Sequence, residues 1–461
     1  MINNERSDGY GTLIYLLTKA VDVISDIAEE QGILSDNSPP FYPPDITPDE
    51  LKNAALYDRR ILRFDTYLRR DSHGQLIPVP FTQKHRHHCH QLRDIFDNAK
   101  LHVAHPEFSE YLNTLTTWLD QGSETAYFAM QQQWLKTVNL PFLFPLVLDE
   151  TYADTVFGLK GSMDAAVFIE DRKMTSICQK YLDYWYMFVT SINLPGNPLM
   201  IKPSYPKVYR AHATSAGLLN LELKAWNLPN NFALRQSSGS YQILIQETIQ
   251  KSFYKDILPL LHSLFEMNSE NLAQDSLLTV FHQMLLYHEL AHNIGCYEMQ
   301  RNLMIWDNVF EELKANILPL QFILHARDMK WMESELAEAA IMSYLALDLM
   351  DCLLARSVKS RVSYDYATKI QFSYLIDKGA LKIEDSRILI DYQRFGLSNA
   401  VLLSDCLEIL SIGDPEQAKR YTDRYLYRKE LEYVIDLAGS ILGNSFKSAY
   451  EKPPHKSLIG N

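Results

Sequence analysis

The spacing of apolar residues predicts helices towards both ends of the chain. Apolar positions recur every three or four residues over 10–30, which is the period of an amphipathic helix. A second helix is predicted to begin at Thr47, because "TPDE" offers a capping hydroxyl followed by acidic side chains for the first turn. From about 253 to 448 the pattern is again helical almost throughout. Helix is therefore the predominant predicted element.

The stretch between these helical regions carries the β signal. We expect a strand and a turn near 143–158, a helix over 164–192, and strands separated by turns over 208–246. Together these patterns predict a mostly α protein with a smaller β component, the α+β class.

The chain of 461 residues is long enough for two domains. The change of pattern predicts a mixed α/β half over 1–252 and a helical half over 253–461. Part of 171–208 is a candidate to pack on the helical half.

Composition and charge narrow the classes of partner. The net charge is −13, with 44 basic against 57 acidic residues, and this disfavours nucleic acid because such binding uses cations to displace counterions. The amino-terminal segment does not have the pattern of a signal peptide, and we expect no apolar run to reach membrane-spanning length. Five scattered cysteines without a CxxC spacing argue against a disulfide framework. We expect a cytoplasmic monomer or homodimer that binds neither nucleic acid nor membrane.

The segment "LLYHELAHNIG" (285–295) carries the candidate chemistry. On a helix, His288 and His292 lie one turn apart on one face, so both imidazoles can reach a single Zn²⁺. Glu289 projects beside them, where it can take a proton from water. The rest of the segment is apolar, and a buried glutamate without a partner would be costly. The pattern therefore favours a zinc site over the structural alternative, a pair of core histidines.

A third ligand is available downstream in "EELKAN" (311–316). Glu311 and Glu312 point in different directions on a helix, so only one of them can join the histidines, and periodicity does not choose between them. Asn316, one turn after Glu312, can offer a side-chain carbonyl that orients a histidine. These segments together predict one zinc ion per chain.

The segment "KHRHHCH" (84–90) is also rich in metal-binding side chains. Ligands of one metal must converge, whereas neighbours on a helix point about 100° apart. His85 and Cys89 share the favourable spacing of four, but the other histidines do not align with them. The interpretation favoured by the sequence is an exposed helix start.

Several blocks of the chain, in the same order, resemble the dipeptidyl peptidase III-like family of zinc metallopeptidases, including its shorter bacterial members. The blocks are "YPPDITPDEL" with "VPF", "ETYADTVFGLKG", "NLPNNFALRQSSGS", "HELAH", "EELKAN" and "IQFSYLIDKGAL". The NLPN and EELKA blocks are the more specific ones, because HExxH is shared by many unrelated proteases. The resemblance implies two lobes separated by a cleft, one helical and carrying zinc, the other mixed.

The resemblance also implies roles for individual residues. It implies that His288, His292 and Glu312 hold zinc and that Glu289 is the general base. The remaining glutamate, Glu311, would then support the ligands.

A second set of residues is implied to bind the substrate. Glu150, Asn227 and Asn230 would hold the free amino terminus of a peptide, since a carboxylate pairs with an ammonium group and amide oxygens accept its other hydrogens. Tyr152 would donate a hydrogen bond to the scissile carbonyl or the oxyanion.

Three positions depart from the family pattern. Tyr364 stands where the family has a catalytic histidine, and a tyrosine can donate a hydrogen bond but cannot carry a positive charge. Asn316 stands where the family usually has an acidic residue, and "GSMDAAV" (161–167) lacks an acidic pair that some members have.

Three functions are compatible with the sequence. The leading hypothesis is a zinc metallopeptidase that releases dipeptides from the free amino terminus of short peptides. The second is a zinc enzyme of the same fold that acts on another amide-containing small molecule. The third is a catalytically silent peptide-binding protein.

Overall fold

Helices dominate the structure. It is a computed structural model that describes residues 10–31, 41–150, 154, 156–157, 159–199, 205–221, 223–266, 272–356 and 361–450. In this part of the chain the helices accompany a mixed sheet and two small hairpins. Two separate hydrophobic cores define two lobes. The predicted α+β class is confirmed.

The first lobe combines helices with a mixed sheet. Its described helices are α1 (Gly11–Glu30), α2 (Pro48–Tyr57), α3 (Phe81–Lys84), α4 (Arg86–Lys100), α5 (Pro106–Gln121) and α6 (Glu124–Trp134). Helix α1 covers the predicted 10–30 segment and buries its apolar stripe. As predicted, Thr47 caps α2, because its Oγ1 accepts a hydrogen bond from the Glu50 N–H at 3.2 Å.

Strands of this lobe form a hairpin and the mixed sheet. They are β1 (Thr66–Arg70), β2 (Leu76–Pro80), β3 (Phe142–Leu143), β4 (Leu146–Glu150), β5 (Ser162–Glu170), β6 (Lys207–Thr214), β7 (Ala225–Leu228) and β8 (Tyr241–Ile245). The hairpin pairs β1 with β2, and the sheet order is β3-β5-β6-β8-β7 with β4 also paired to β5. Strands β6 and β8 are parallel and the other pairs are antiparallel.

The helix predicted over 164–192 is wrong in its first part. Residues Ser162–Glu170 form β5, and the helical segment begins only at Arg172. Nearly all of β5 is buried on both faces, so its sequence lacks the polar alternation of a half-exposed strand. A short apolar run of this kind has no period that separates a buried strand from a buried helix.

Short helices connect the strands of the sheet. They are α7 (Arg172–Cys178), α8 (Leu182–Ser191), α9 (Ala216–Leu221) and α10 (Phe232–Ser238). The strands predicted over 208–246 are present, and α9 and α10 occupy places where the sequence predicted turns.

Strand β8 lies between the two hydrophobic cores. Ile243 and Ile245 belong to the core of the mixed lobe, whereas Leu244 belongs to the core of the helical lobe. This division follows from the geometry of a strand, in which successive side chains point to opposite faces. Gln242 shares the face of Leu244 and is completely buried. The sheet therefore presents a polar side chain towards the helical lobe.

The second lobe is almost entirely helical. Its described helices are α11 (Gln246–Ser252), α12 (Leu258–Leu264), α13 (Gln274–Ala291), α14 (Ile305–Asp328), α15 (Ser334–Ala355), α16 (Val362–Asp377), α17 (Tyr392–Ile412), α18 (Pro415–Tyr425) and α19 (Lys429–Tyr450). A hairpin that the sequence did not predict joins β9 (Leu381–Glu384) to β10 (Arg387–Ile390). Helix α8 adds Trp185 to this core, where it stacks on Tyr287 with ring centroids 5.1 Å apart. A division into domains between 252 and 253 stays a prediction.

Helix α17 differs from the expectation that no apolar segment reaches membrane-spanning length. Among the described residues, α17 is long and apolar enough to cross a membrane, so that expectation was wrong for this segment. Half of its most apolar stretch is buried, and its buried apolar side chains belong to the core of the helical lobe. A core helix meets the same criterion, so α17 is weak evidence for a membrane span. The cytoplasmic location stays a prediction.

Candidate metal centre

The two histidines of the HELAH segment lie at the carboxyl end of α13. His288 is in the last turn, and His292 follows the final helical residue with backbone angles that are still helical. The ring centroids of the two histidines are 4.9 Å apart. The chain then turns at Gly295, which has a φ of +59°, and a Cβ there would lie 2.6 Å from a methyl group of Leu407. The carboxyl end of a helix carries partial negative charge, which favours a cation.

Helix α14 brings Glu312 to the same place. Its Oε2 lies 3.4 Å from His288 Nε2, and one ligand atom from each of His288, His292 and Glu312 lies within 4.8 Å of the other two. Glu312 Oε2 is buried and has no hydrogen-bond partner in the described part of the chain. A buried carboxylate oxygen that faces imidazoles without such a partner fits a metal ligand. Two nitrogens and one oxygen suit Zn²⁺ and leave a further coordination position.

His288 is oriented by a hydrogen-bonded chain through Tyr344. The Tyr344 hydroxyl donates to Asn316 Oδ1 at 3.0 Å, so its oxygen can accept from His288 Nδ1, which is 2.5 Å away. This arrangement leaves the lone pair on Nε2, the atom that faces Glu312. Asn316 thus contacts the histidine through Tyr344 rather than directly, and all three side chains are buried.

His292 is oriented by Glu311. Its Nδ1 lies 3.4 Å from Glu311 Oε2, while Glu311 Oε1 accepts from Lys314 Nζ at 2.9 Å and from Gln300 Nε2 at 3.1 Å. Burial raises the pKa of Glu311, but the Lys314 ammonium and His292 outweigh that effect and lower it to about 2. Glu311 is therefore held as a carboxylate that can accept a hydrogen bond from His292 and so orient its ring.

Glu289 lies beside the candidate ligands on α13. Burial raises the pKa of its carboxyl above the ordinary value, although the nearby histidines act in the opposite direction. A general base works best when its pKa is near the working pH, so this shift suits the predicted role.

A cleft opens next to these residues. Its polar lining comes from both lobes and comprises Lys224, His288, Glu289, Asn316, Tyr344, Asp348, Asp351, Arg361 and Tyr364. The Arg361 guanidinium lies 4.9 Å from the centre of the Tyr364 ring and 3.7 Å from an Asp351 oxygen. Burial raises the pKa of Glu312, but its interactions with His288, His292 and Tyr364 outweigh that effect and lower the pKa below its ordinary value. Tyr364 thus lies close to Glu312, the candidate metal ligand.

The residues predicted to bind the substrate differ in where they lie. Asn227 is buried and is occupied by protein groups: its Nδ2 donates to the Glu289 backbone oxygen at 3.4 Å, and its Oδ1 accepts from Gln242 Nε2 at 2.9 Å. Asn230 is exposed to solvent. Glu150 ends β4, but its side chain and all of Tyr152 lie outside the described part of the chain.

Some contributors to the site were missed at the sequence level, chiefly Tyr344, Lys314 and Gln242. The sequence contains a signal for Tyr344, because Tyr344, Asp348 and Asp351 form a polar stripe at spacings of four and three in the mostly apolar second half of helix α15. That stripe faces the cleft. For Lys314 and Gln242 the sequence has no comparable pattern.

Sequence comparison matches much of the chain to part of a longer plant protein. No model of a known protein family matches the chain. The chain is 20% identical over 371 residues to Nudix hydrolase 3 of Arabidopsis thaliana; the match covers 77% of this chain but 46% of that protein, so the chain spans less than half the length of this relative.

Solved structures match over almost the whole chain. The structure of DPP III from Caldithrix abyssi superposes with a TM-score of 0.76 and 17% identity, covering 94% of this chain and 93% of the other. The structure of dipeptidyl-peptidase III from Corallococcus sp. strain EGB superposes with a TM-score of 0.78 and 16% identity, covering 97% and 95%. These superpositions confirm the resemblance at the level of the fold. The chain has the two-lobed fold of dipeptidyl peptidase III.

Proposed function

We propose that this protein is a zinc-dependent peptidase that removes dipeptides from the free amino terminus of short peptides. The observation that carries the proposal is the buried Glu312 Oε2, which has no hydrogen-bond partner among the described residues and faces His288 beside Glu289. The shared fold with proteins called dipeptidyl peptidase III supports the reaction class.

His288, His292 and Glu312 would hold the zinc ion. When bound, zinc supplies Lewis acidity, which polarises a carbonyl group and lowers the pKa of a coordinated water. Tyr344 and Glu311 keep the two imidazoles in the orientation that directs a nitrogen lone pair towards the metal.

Glu289 would act as the general base. Its carboxylate takes a proton from the attacking water and afterwards delivers a proton to the leaving amine. Tyr364 would donate a hydrogen bond to the developing oxyanion. Tyr152 would donate a hydrogen bond to the scissile carbonyl. The opening of the cleft beside Glu289 and Tyr364 supports this arrangement.

The amino terminus of the peptide would be held on the mixed lobe. Glu150 ends a strand of the sheet and would pair with the ammonium group, and the exposed Asn230 would accept one of its hydrogens. Asn227 would act differently, by holding the backbone of Glu289 in place.

The test is Glu289→Gln in the full chain, with Glu298→Gln as the matched control, because Glu298 is an exposed glutamate that follows the same helix. Zinc content is measured by elemental analysis. Turnover is measured with dipeptidyl-naphthylamide substrates. We expect Glu289→Gln to retain zinc and lose turnover, while Glu298→Gln retains both. Turnover retained by Glu289→Gln contradicts the mechanism.

Zinc content and peptide cleavage of the wild-type protein also distinguish the peptidase from the two alternative functions. Stoichiometric zinc without cleavage of any peptide in a library contradicts the peptidase and favours an enzyme for another amide-containing small molecule. Peptides that bind and are recovered uncut from a protein without zinc favour a peptide-binding protein.

A further inference from the structure

A second group of metal-binding side chains lies in the mixed lobe. Glu30 is the last residue of α1, His85 immediately precedes α4, and His88 lies in the first turn of α4. One ligand atom from each of the three lies within 4.8 Å of the other two. Within this group, His85 Nδ1 lies 2.9 Å from Glu30 Oε2.

His85 does not belong to an exposed helix start, so that prediction was wrong for this residue. Its side chain is completely buried, and its Nε2 lies 2.7 Å from the hydroxyl of Tyr67, which is buried as well. The residue that converges with it, Glu30, is 55 positions away in sequence. No helical spacing within "KHRHHCH" can indicate a ligand that arrives from another helix.

The contact with Tyr67 orients His85 as a ligand. With Nε2 against the Tyr67 hydroxyl, Nδ1 faces Glu30 at the edge of the lobe. A tyrosine hydroxyl can donate or accept, so His85 can move its proton from Nδ1 to Nε2 and lose no hydrogen bond to Tyr67 when Nδ1 binds a metal. His288 is held in the same manner, with Tyr344 on one nitrogen and a carboxylate on the other.

Charge and exposure are also suited to a metal. Burial of the His85 ring opposes a positive charge on it, and the neutral imidazole is the form that binds metals. The Glu30 side chain is 51% exposed and His88 is half-buried, which leaves a path from solvent. Two imidazoles and a carboxylate are a donor set that Zn²⁺ prefers.

We propose that Glu30, His85 and His88 form a second Zn²⁺ site, separate from the centre in the helical lobe. The ion would clamp the end of α1 to the start of α4, two helices that pack against each other in the core of the mixed lobe. It would thereby stabilise this lobe, because a ligand that binds the folded state more tightly than the unfolded state shifts the equilibrium towards folding.

The test compares two single substitutions in the full-length protein. His88→Ala removes a proposed ligand, and His90→Ala removes an exposed histidine of the same helix as the matched control. Each protein is saturated with Zn²⁺, freed of excess metal by gel filtration, and analysed for zinc per chain; circular dichroism verifies that the helices are retained. We expect His88→Ala to hold one zinc fewer than wild type and His90→Ala to hold the same number.

The difference between the two variants is the readout, so it does not depend on whether His288, His292 and Glu312 bind zinc. Equal zinc in wild type and His88→Ala overturns the proposal. An equal loss in both variants also overturns it, because it indicates loose binding by surface histidines. As a second measurement, Tyr67→Phe should weaken binding at this site by roughly 10-fold to 100-fold, the usual effect of losing a group that orients a ligand.

Discussion

The Nδ1 atom of His288 lies 2.5 Å from the hydroxyl oxygen of Tyr344, although the two residues are 56 positions apart in sequence. Since that hydroxyl donates onward to Asn316, its oxygen can accept from His288 Nδ1, and Nε2 is the nitrogen directed at Glu312. The orientation of His288, a proposed zinc ligand, therefore depends on two other helices, α14 and α15.

Tyr344→Phe should weaken zinc binding roughly 10-fold to 100-fold, because the ring of His288 loses the acceptor that fixes its orientation. The measurement is a competition titration with a zinc chelator. Tyr287→Phe is the matched control: Tyr287 is also fully buried, and its hydroxyl has no hydrogen-bond partner among the described residues. Equal zinc affinity in wild type and Tyr344→Phe would show that the chain through Asn316 does not support the ligand.

Glu311→Ala should destabilise the protein by about 3–5 kcal/mol, because it leaves the fully buried Lys314 without its carboxylate. Adding Lys314→Met should recover much of that loss, since the unpaired charge is removed. Zinc affinity should remain reduced in the double variant, because His292 still lacks its acceptor. Chemical unfolding measures the first effect and zinc titration the second; full recovery of zinc affinity in the double variant would contradict the role of Glu311.

Asn227→Ala should lower kcat, whereas Asn230→Ala should chiefly raise KM. Asn227 contacts the backbone of Glu289, so its loss displaces the general base, and a misplacement of about 1 Å is worth as much as 10²-fold in rate. Asn230 is exposed and is proposed to contact the peptide. Steady-state kinetics with a dipeptidyl-naphthylamide distinguishes the two effects. If Asn227→Ala changes KM alone, Asn227 binds the substrate and does not position Glu289.

Tyr364→Phe should lower kcat by roughly 10²-fold to 10³-fold, the range for loss of one donor to an oxyanion. Zinc content should be unchanged. Tyr366→Phe is the matched control two positions away, where the ring stacks on Trp306. If the two substitutions have the same effect on kcat, the Tyr364 hydroxyl takes no part in the reaction.

Lys160 should make stability depend on pH. Its Nζ donates to the Ile61 and Arg63 backbone oxygens and to Thr66 Oγ1, and burial lowers its pKa from 10.5 to about 7. The unfolded chain therefore binds more protons than the folded one between about pH 7 and pH 10.5, so stability rises with pH across this window.

The measurement is the free energy of unfolding of wild type minus that of Lys160→Met, followed from pH 7 to pH 10. The difference should increase in favour of wild type, with a slope of at most about 1.4 kcal/mol per pH unit. Lys52→Met replaces an exposed lysine on α2, and its free energy of unfolding should depend on pH in the same way as that of wild type. A flat difference for Lys160→Met would mean that Lys160 keeps its ordinary pKa in the folded state.

Sequence and structure agree best where the information is local. The helical period over 10–30 and the capping sequence at Thr47 depend on residues a few positions apart, and both predictions are confirmed. The strand Ser162–Glu170 was misread because its burial on both faces comes from the surrounding layers, which leave no alternation in the sequence.

The sequence by itself determined the pair His288 and His292 with Glu289 between them, because one helical turn is enough to bring two imidazoles to one face. It also offered Glu311 and Glu312 as candidates. Tertiary structure decided which groups surround them: Tyr344 behind His288, Asn227 against Glu289, and Glu30 beside His85. Such contacts join residues on different helices and strands, so they depend on how those elements pack, and the period of one helix carries no information about its neighbour.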